Sequence, residues 1–131
     1  MSRSGYLEYD DDLQLGRWRG QVASAIRGRR GQALLAELAA AMDAMPEKEL
    51  ITGQLIDQDG SCCTLGVVCR ARGIDVEQVD QYCPEEVGAL VGVAEQLAAE
   101  IAFLNDEAGC SDETPEQRWT RMRRWVGRHL S

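Results

Sequence analysis

Residues 84–105, PEEVGALVGVAEQLAAEIAFLN, carry the clearest helical period in the chain. Val87, Leu90, Val91, Ala94, Leu97, Ala98, Ile101 and Leu104 recur at steps of three and four, so an α-helix places them on one side over about five turns. The spacing predicts a single helix over about 84–105, with Asn105 and Gly109 marking its end. A helix this apolar has to be covered, so the neighbouring segments are read for helices that cover it.

Downstream, Thr114, Pro115 and Gln117 form a helix start: an N-cap hydroxyl, a proline at the first position and a capping-box partner three residues on. Trp119, Met122, Val126 and Leu130 then mark an inward face. Upstream, Leu15, Trp18, Val22 and Ile26 predict a helix over 13–27, with Asp12 as its cap and Gly28 as a left-handed stop. Leu34, Leu38, Met42 and Met45 predict another over 31–45, stopped by Pro46. The segment TLGVVCRAR, 64–72, reads as a helix closed by Gly73, and DVEQVD, 75–80, as a short helical turn capped by Asp75 with Gln78. LITGQLI (50–56) and SCCT (61–64) flank DQDG, a pattern that suits a small two-stranded β-ribbon.

The expected architecture is mainly α: a single-domain bundle of four or five helices, with at most a minor β-ribbon near residues 50–64. Residues 1–12 form an acidic N-terminal segment, and 13–131 the helical domain. The expected core holds Trp18, Ile26, Leu34, Leu38, Met42, Leu90, Ala94, Leu97, Ile101, Trp119, Met122 and Val126. A chain of 131 residues is long enough to bury such a core without metals or disulfides. No apolar run approaches the roughly 20 residues of a membrane span, and the N-terminus lacks the apolar core of a secretory signal. A cytoplasmic location is the expectation. The five cysteines, an odd number at irregular spacing, read as free thiols.

Charge is unevenly distributed. The net charge is −8, yet residues 1–31 sum to +2 and 114–131 to +4, leaving −14 on the middle. The knuckle AIRGRRGQALL, 25–35, concentrates Arg27, Arg29 and Arg30 at a bend. Arg29 and Arg30 lie on the N-terminal side of a helix, where the macrodipole gives a cation no benefit. They therefore need another partner, either a carboxylate of the acidic middle or an external anion. On the last helix Arg121, Arg124 and Arg128 fall opposite the apolar stripe, with Trp125 at its border beside Arg118. Arginines around an exposed aromatic suit contact with nucleic acid or an acidic protein, although an ordinary solvated helix face has the same pattern. The candidate interaction surface is thus Arg118, Arg121, Arg124, Trp125 and Arg128, with Arg29 and Arg30. The carboxylates offer an opposite reading: Glu8, Asp10, Asp11, Asp12 and the acidic middle resemble a phosphate backbone electrostatically, with solubility as the plainer account.

Chemistry-bearing patterns are weak. Cys62, Cys63 and Cys69 lack the paired spacing of a zinc site, and the single histidine, His129, is distant. DQDG starts like a calcium loop but has Cys62 at the sharp-turn glycine position and Val68 at the twelfth. There is no nucleophile elbow, zinc-protease helix or dinucleotide fingerprint. Asp57 and Asp59 are a pairing common by chance. No catalytic residue, metal or cofactor is expected.

Five segments taken together, RWRGQVASAIRGRRGQALLAEL, DAMPEKELI, LGVVCRARGID, AEQLAAEIAFLNDE and TPEQRWTRMRRWV, resemble a group of small cytoplasmic proteins encoded by tailed bacteriophages and prophages. The resemblance runs from about residue 17 onward. Members of that group carry no assigned activity, so it implies a phage setting and transfers no residue role. The adjacent Cys62–Cys63 pair and Cys69 depart from the group's usual pattern. The expectation is a non-enzymatic accessory protein that binds a host or phage protein, with self-association left open, and modulates host machinery or defence. The alternative is a nucleic-acid-binding regulator that uses the arginine-rich C-terminal helix.

Overall fold

A computed structural model describes Arg3 and residues 12–131 of the chain. Among these residues six helices follow one another: α1 (Asp12–Arg27), α2 (Arg29–Asp43), α3 (Thr64–Arg72), α4 (Pro84–Val91), α5 (Glu95–Asp106) and α6 (Pro115–His129). The architecture is a mainly α, single-domain bundle, with no β-sheet among the described residues. The acidic stretch read over residues 1–12 lies outside the described residues except for Arg3, as does the capping role given to the Asp12 side chain.

The stretch expected to form one helix forms two. α4 and α5 cross at 103°, which raises the helix count to six. The break is at Gly92, whose φ of 83° and ψ of 32° are left-handed, and its N–H closes on the Gly88 carbonyl. Val93 N–H bonds to the same carbonyl at 2.9 Å. An L side chain disfavours that conformation by roughly 1–2 kcal/mol, so glycine ends the helix although the apolar period runs on. Because the chain turns, Val87, Val91 and Val93 are buried against α5, while Leu90 and Ala94 are only half-buried.

α5 is the hub: it packs against α1, α3, α4 and α6. Leu97, Ala98, Ala99, Ile101, Ala102 and Asn105 are all buried, so the helix is covered on several sides. Its alanines let neighbouring backbones approach closely. α2 is the second centre, in contact with α1, α3 and α6, and it buries Leu34, Leu35, Leu38 and Met42. Of the expected core, Leu34, Leu38, Met42, Leu97, Ile101, Met122 and Val126 are buried, while Trp18, Ile26 and Trp119 are half-buried. The fully buried Leu50, Leu55 and Leu65 come from the middle segment, where a short period hides them.

Three local expectations change. Gly28 has φ −72° and ψ 165°, extended rather than left-handed, and serves as the N-cap of α2. Residues 75–80 form turns, not a helix: Asp75 accepts from Glu77 N–H at 3.0 Å and Asp80 from Tyr82 N–H at 3.0 Å. These side-chain bonds compete with helical ones. The ribbon reduces to one antiparallel bridge between Ile56 and Cys62, backed by Ile51 N–H to Cys62 O and Cys63 N–H to Leu55 O. Helix α3 begins at Thr64, too soon for a second strand to extend. The Thr114 capping box and the left-handed Gly73 cap form as the sequence predicts.

No single helix among the described residues is long and apolar enough to cross a membrane. The tightest helix contact is at Gly31, where an added Cβ would lie 2.0 Å from the Ala25 carbonyl oxygen. Gly31→Ala is therefore expected to cost about 1–3 kcal/mol in denaturant unfolding, because backbone cannot yield as a side chain can. Gly92→Ala, in open space but at positive φ, is expected to cost about 1–2 kcal/mol.

Candidate interaction surface

Gln32 joins the two basic ends of the chain. Its side-chain Nε2 donates to Ile26 O at 2.8 Å and to His129 O at 2.9 Å, and its Oε1 accepts from Ser131 N–H at 2.9 Å. One amide thus ties the last turn of α1, the first turn of α2 and the end of α6. Gly31 permits the approach. The result brings Arg128 to the same pole of the molecule as Arg29 and Arg30, nearly a hundred residues away in sequence.

Arg29 and Arg30 are exposed and form no ion pair among the described residues. The expectation that they answer the acidic middle is not met. They line a half-open hollow of about 280 Å³ with Ala25, Val93 and Ala94. Two helix starts meet there: neither Gly28 nor Ala94 supplies a side-chain cap, and the first turn of α2 has no carboxylate, whereas that of α5 carries Glu95. Free amides and two guanidinium groups make the α2 side of the hollow positive.

The rest of the basic surface divides. Arg118 and Arg121 turn inward onto Glu113, at 3.3 and 2.6 Å. Arg118 also donates to Leu50 O and Arg121 to Leu104 O, so both fasten α6 to the body. Arg123 holds Asp43 of α2 at 2.8 Å, and Arg72 holds Glu37 at 2.6 Å. Arg124 and Arg128 are exposed and have no ion pair among the described residues. Trp125 corrects the sequence reading. It is 8% exposed, inside the α6 packing face, with the His129 ring 4.9 Å from its own. Its position turns it inward because the buried side of α6 is wider than a single stripe. His129 itself is exposed.

A 103° pair joined by a short glycine turn has helix–turn–helix geometry. Here the second helix is unsuited to reading DNA. The charged residues of α5 are Glu95, Glu100 and Asp106, and the helix is covered by its neighbours.

The thiols and carboxylates have structural surroundings. Cys62, Cys63 and Cys69 are buried. Burial pushes the Cys69 thiol up to about 11 and raises Cys62 as well, which keeps both as weakly reactive thiols at neutral pH. Asp57 accepts from Asp59 N–H and Ser61 N–H at 2.9 Å each, fixing the DQDG turn. Among the described residues no three His, Cys, Asp or Glu side chains gather as a metal site. Two carboxylates the sequence reading did not pair, Glu49 and Glu116, lie together: the Glu116 side chain raises Glu49, while Glu116 is lowered, chiefly by its own backbone amide and then by Glu49.

Comparison with family profiles, curated proteins and solved structures gives no match. The functional reading therefore rests on this chain alone.

Two outcomes follow. Gln32→Ala should lower stability by about 1–2 kcal/mol and speed amide exchange at Leu130 and Ser131, since it removes three modest hydrogen bonds at once. Glu113 is held below its ordinary value of 4.5, chiefly by the Arg121 hydrogen bond and against the opposing effect of burial. Its stabilisation is present above 4.5 and is lost as pH falls through the lower folded value. The stability gap between the wild type and Glu113→Gln, measured by denaturant at descending pH, should therefore narrow below 4.5.

Proposed function

We propose that the protein is a non-enzymatic accessory protein of the phage type, acting through protein–protein contact. In this reading the pole of Arg29, Arg30 and Arg128, with Arg124 farther along α6, engages an acidic surface on a host or phage protein. One observation carries it. Arg3, Arg72, Arg118, Arg121 and Arg123 each meet a carboxylate, whereas Arg29, Arg30 and Arg128 are exposed, have no ion pair among the described residues, and lie on the helix ends that Gln32 joins. Cationic side chains kept together without an internal counter-charge are placed for an external one. The net charge of −8 favours a partner met at short range over a long polyanion, which the remaining surface would repel.

The second reading, a nucleic-acid-binding regulator, draws support from the hollow at the α2 and α5 starts, where free amides and guanidinium groups suit a phosphate. Against it stand the overall charge and the acidic, covered α5.

A triple reversal, Arg29→Glu, Arg30→Glu and Arg128→Glu, separates the two. The wild-type chain, used as bait at low salt in lysate of a phage host, should retain a stoichiometric protein that the variant retains about tenfold less or worse. Labelled duplex DNA should bind neither. Equal retention by the folded variant overturns the proposal, and DNA binding that the reversal abolishes transfers the pole to the second reading.

A further inference from the structure

Arg3 is the most deeply buried of the ion-paired arginines. Its side chain is 3% exposed, and its fork meets Asp106 through Nε at 2.8 Å and NH2 at 2.7 Å. The remaining nitrogen, NH1, lies 3.5 Å from Cys63 Sγ. These partners come from the end of α5 and the residue before α3, 103 and 60 residues away. Arg3 also lines a small space of about 10 Å³ with the mostly apolar Leu55, Leu65, Gln81, Val87, Ala98 and Ala102.

The receiving side has polar partners other than Arg3. Asp106 Oδ1 also accepts from Asn105 Nδ2 at 2.8 Å and from Gly53 N–H at 3.2 Å. Asn105 Oδ1 in turn accepts from Thr64 N–H and Oγ1–H, at 3.1 and 2.8 Å. Donors besides the guanidinium thus help to orient the carboxylate. It also sits in the last turn of α5, where carbonyl ends disfavour a negative charge. Burial pushes its carboxyl upward, and the Arg3 contact overcomes this to hold it below the ordinary range. A part-buried, oriented carboxylate at a helix C-terminus requires a cation, and its two oxygens match a planar fork better than an ammonium.

We propose that Asp106, Cys63 and the apolar residues around that small space form a receptor for an alkylguanidinium group, and that Arg3 is its intramolecular ligand. The ligand class is the arginine side chain. Recognition lies in the receptor, so the covalent link between Arg3 and the helical body is not needed for binding. This site is separate from the Arg29–Arg30–Arg128 pole, and its test does not depend on that reading.

The test uses the full-length Arg3→Ala chain with methylguanidinium as probe and methylammonium as a control of equal charge without the fork. Arg3→Ala should melt at a lower temperature than wild type, and methylguanidinium should raise its midpoint saturably while leaving wild type unchanged. Methylammonium should not. Adding Asp106→Asn should abolish the response. Alkylation of Cys63, followed peptide by peptide, should quicken about tenfold or more in Arg3→Ala and slow again with methylguanidinium. If Arg3→Ala is folded and methylguanidinium neither stabilises it nor protects Cys63, or if methylammonium acts equally, the proposal is overturned. If Arg3→Ala does not fold alone, folding has to return with saturating methylguanidinium, and a chain that stays unfolded overturns it too.

Discussion

Asn105 is 1% exposed, and its amide is used on both ends. The oxygen takes two hydrogens from Thr64 at the start of α3, while the nitrogen gives hydrogens to Ile51 O and Asp106. An unsatisfied buried amide costs far more than a satisfied one contributes. The arrangement is therefore close to all-or-none: α3, α5 and the 50–56 loop share one geometry or the amide loses its partners. This explains how a segment with little regular structure can bury Leu50 and Leu55. Its backbone is fixed by a helix terminus instead of by a sheet. The same junction orients Asp106 and so creates the receiving side for Arg3.

The arginines sort into two populations with different physics. Arg3, Arg72, Arg118, Arg121 and Arg123 each meet a carboxylate, and several also donate to backbone carbonyls that no helix satisfies. Four of these five lie in the basic ends of the chain and reach into its acidic middle, so charge segregation along the sequence becomes charge pairing in space. Exposed pairs of this kind contribute little individually, and the part-buried Arg3–Asp106 and Glu113 contacts carry the greater structural weight. Among the described residues Arg17, Arg19, Arg27 and Arg70 stand outside that pairing, Arg70 donating to Gly60 O instead, and so do Arg29, Arg30, Arg124 and Arg128. A protein whose fold needs no counter-charge for these last four has them available for contact, which is why the functional proposal rests on them and not on the larger set.

Much of the helical pattern was readable because helix period and caps are local. The α6 start at Thr114, the Gly73 stop and the apolar faces of α2 and α5 come from residues within a few positions of one another. The failures have a common cause. Gly92 sits inside an unbroken apolar period, and periodicity records which side is buried without recording that the axis turns; the paired glycines at 88 and 92 were the available signal. Trp125 was assigned to a border because a helical wheel has no neighbours on it. Arg118 and Arg121 were read as surface because the position of Glu113, across a turn, is not expressed in spacing along α6. Arg3 and Gln32 carried no pattern at all, and Asn105 was legible only as a helix end.

The sequence by itself determined a helical, single-domain chain with basic ends and an acidic centre, since turn propensity, capping and hydrophobic period act over three or four residues. Only the tertiary structure decided which arginines are bound and which are presented. That choice depends on contacts between elements, such as Arg121–Glu113 at 8 residues apart and Arg3–Asp106 at 103, whose geometry is set by how the helices pack.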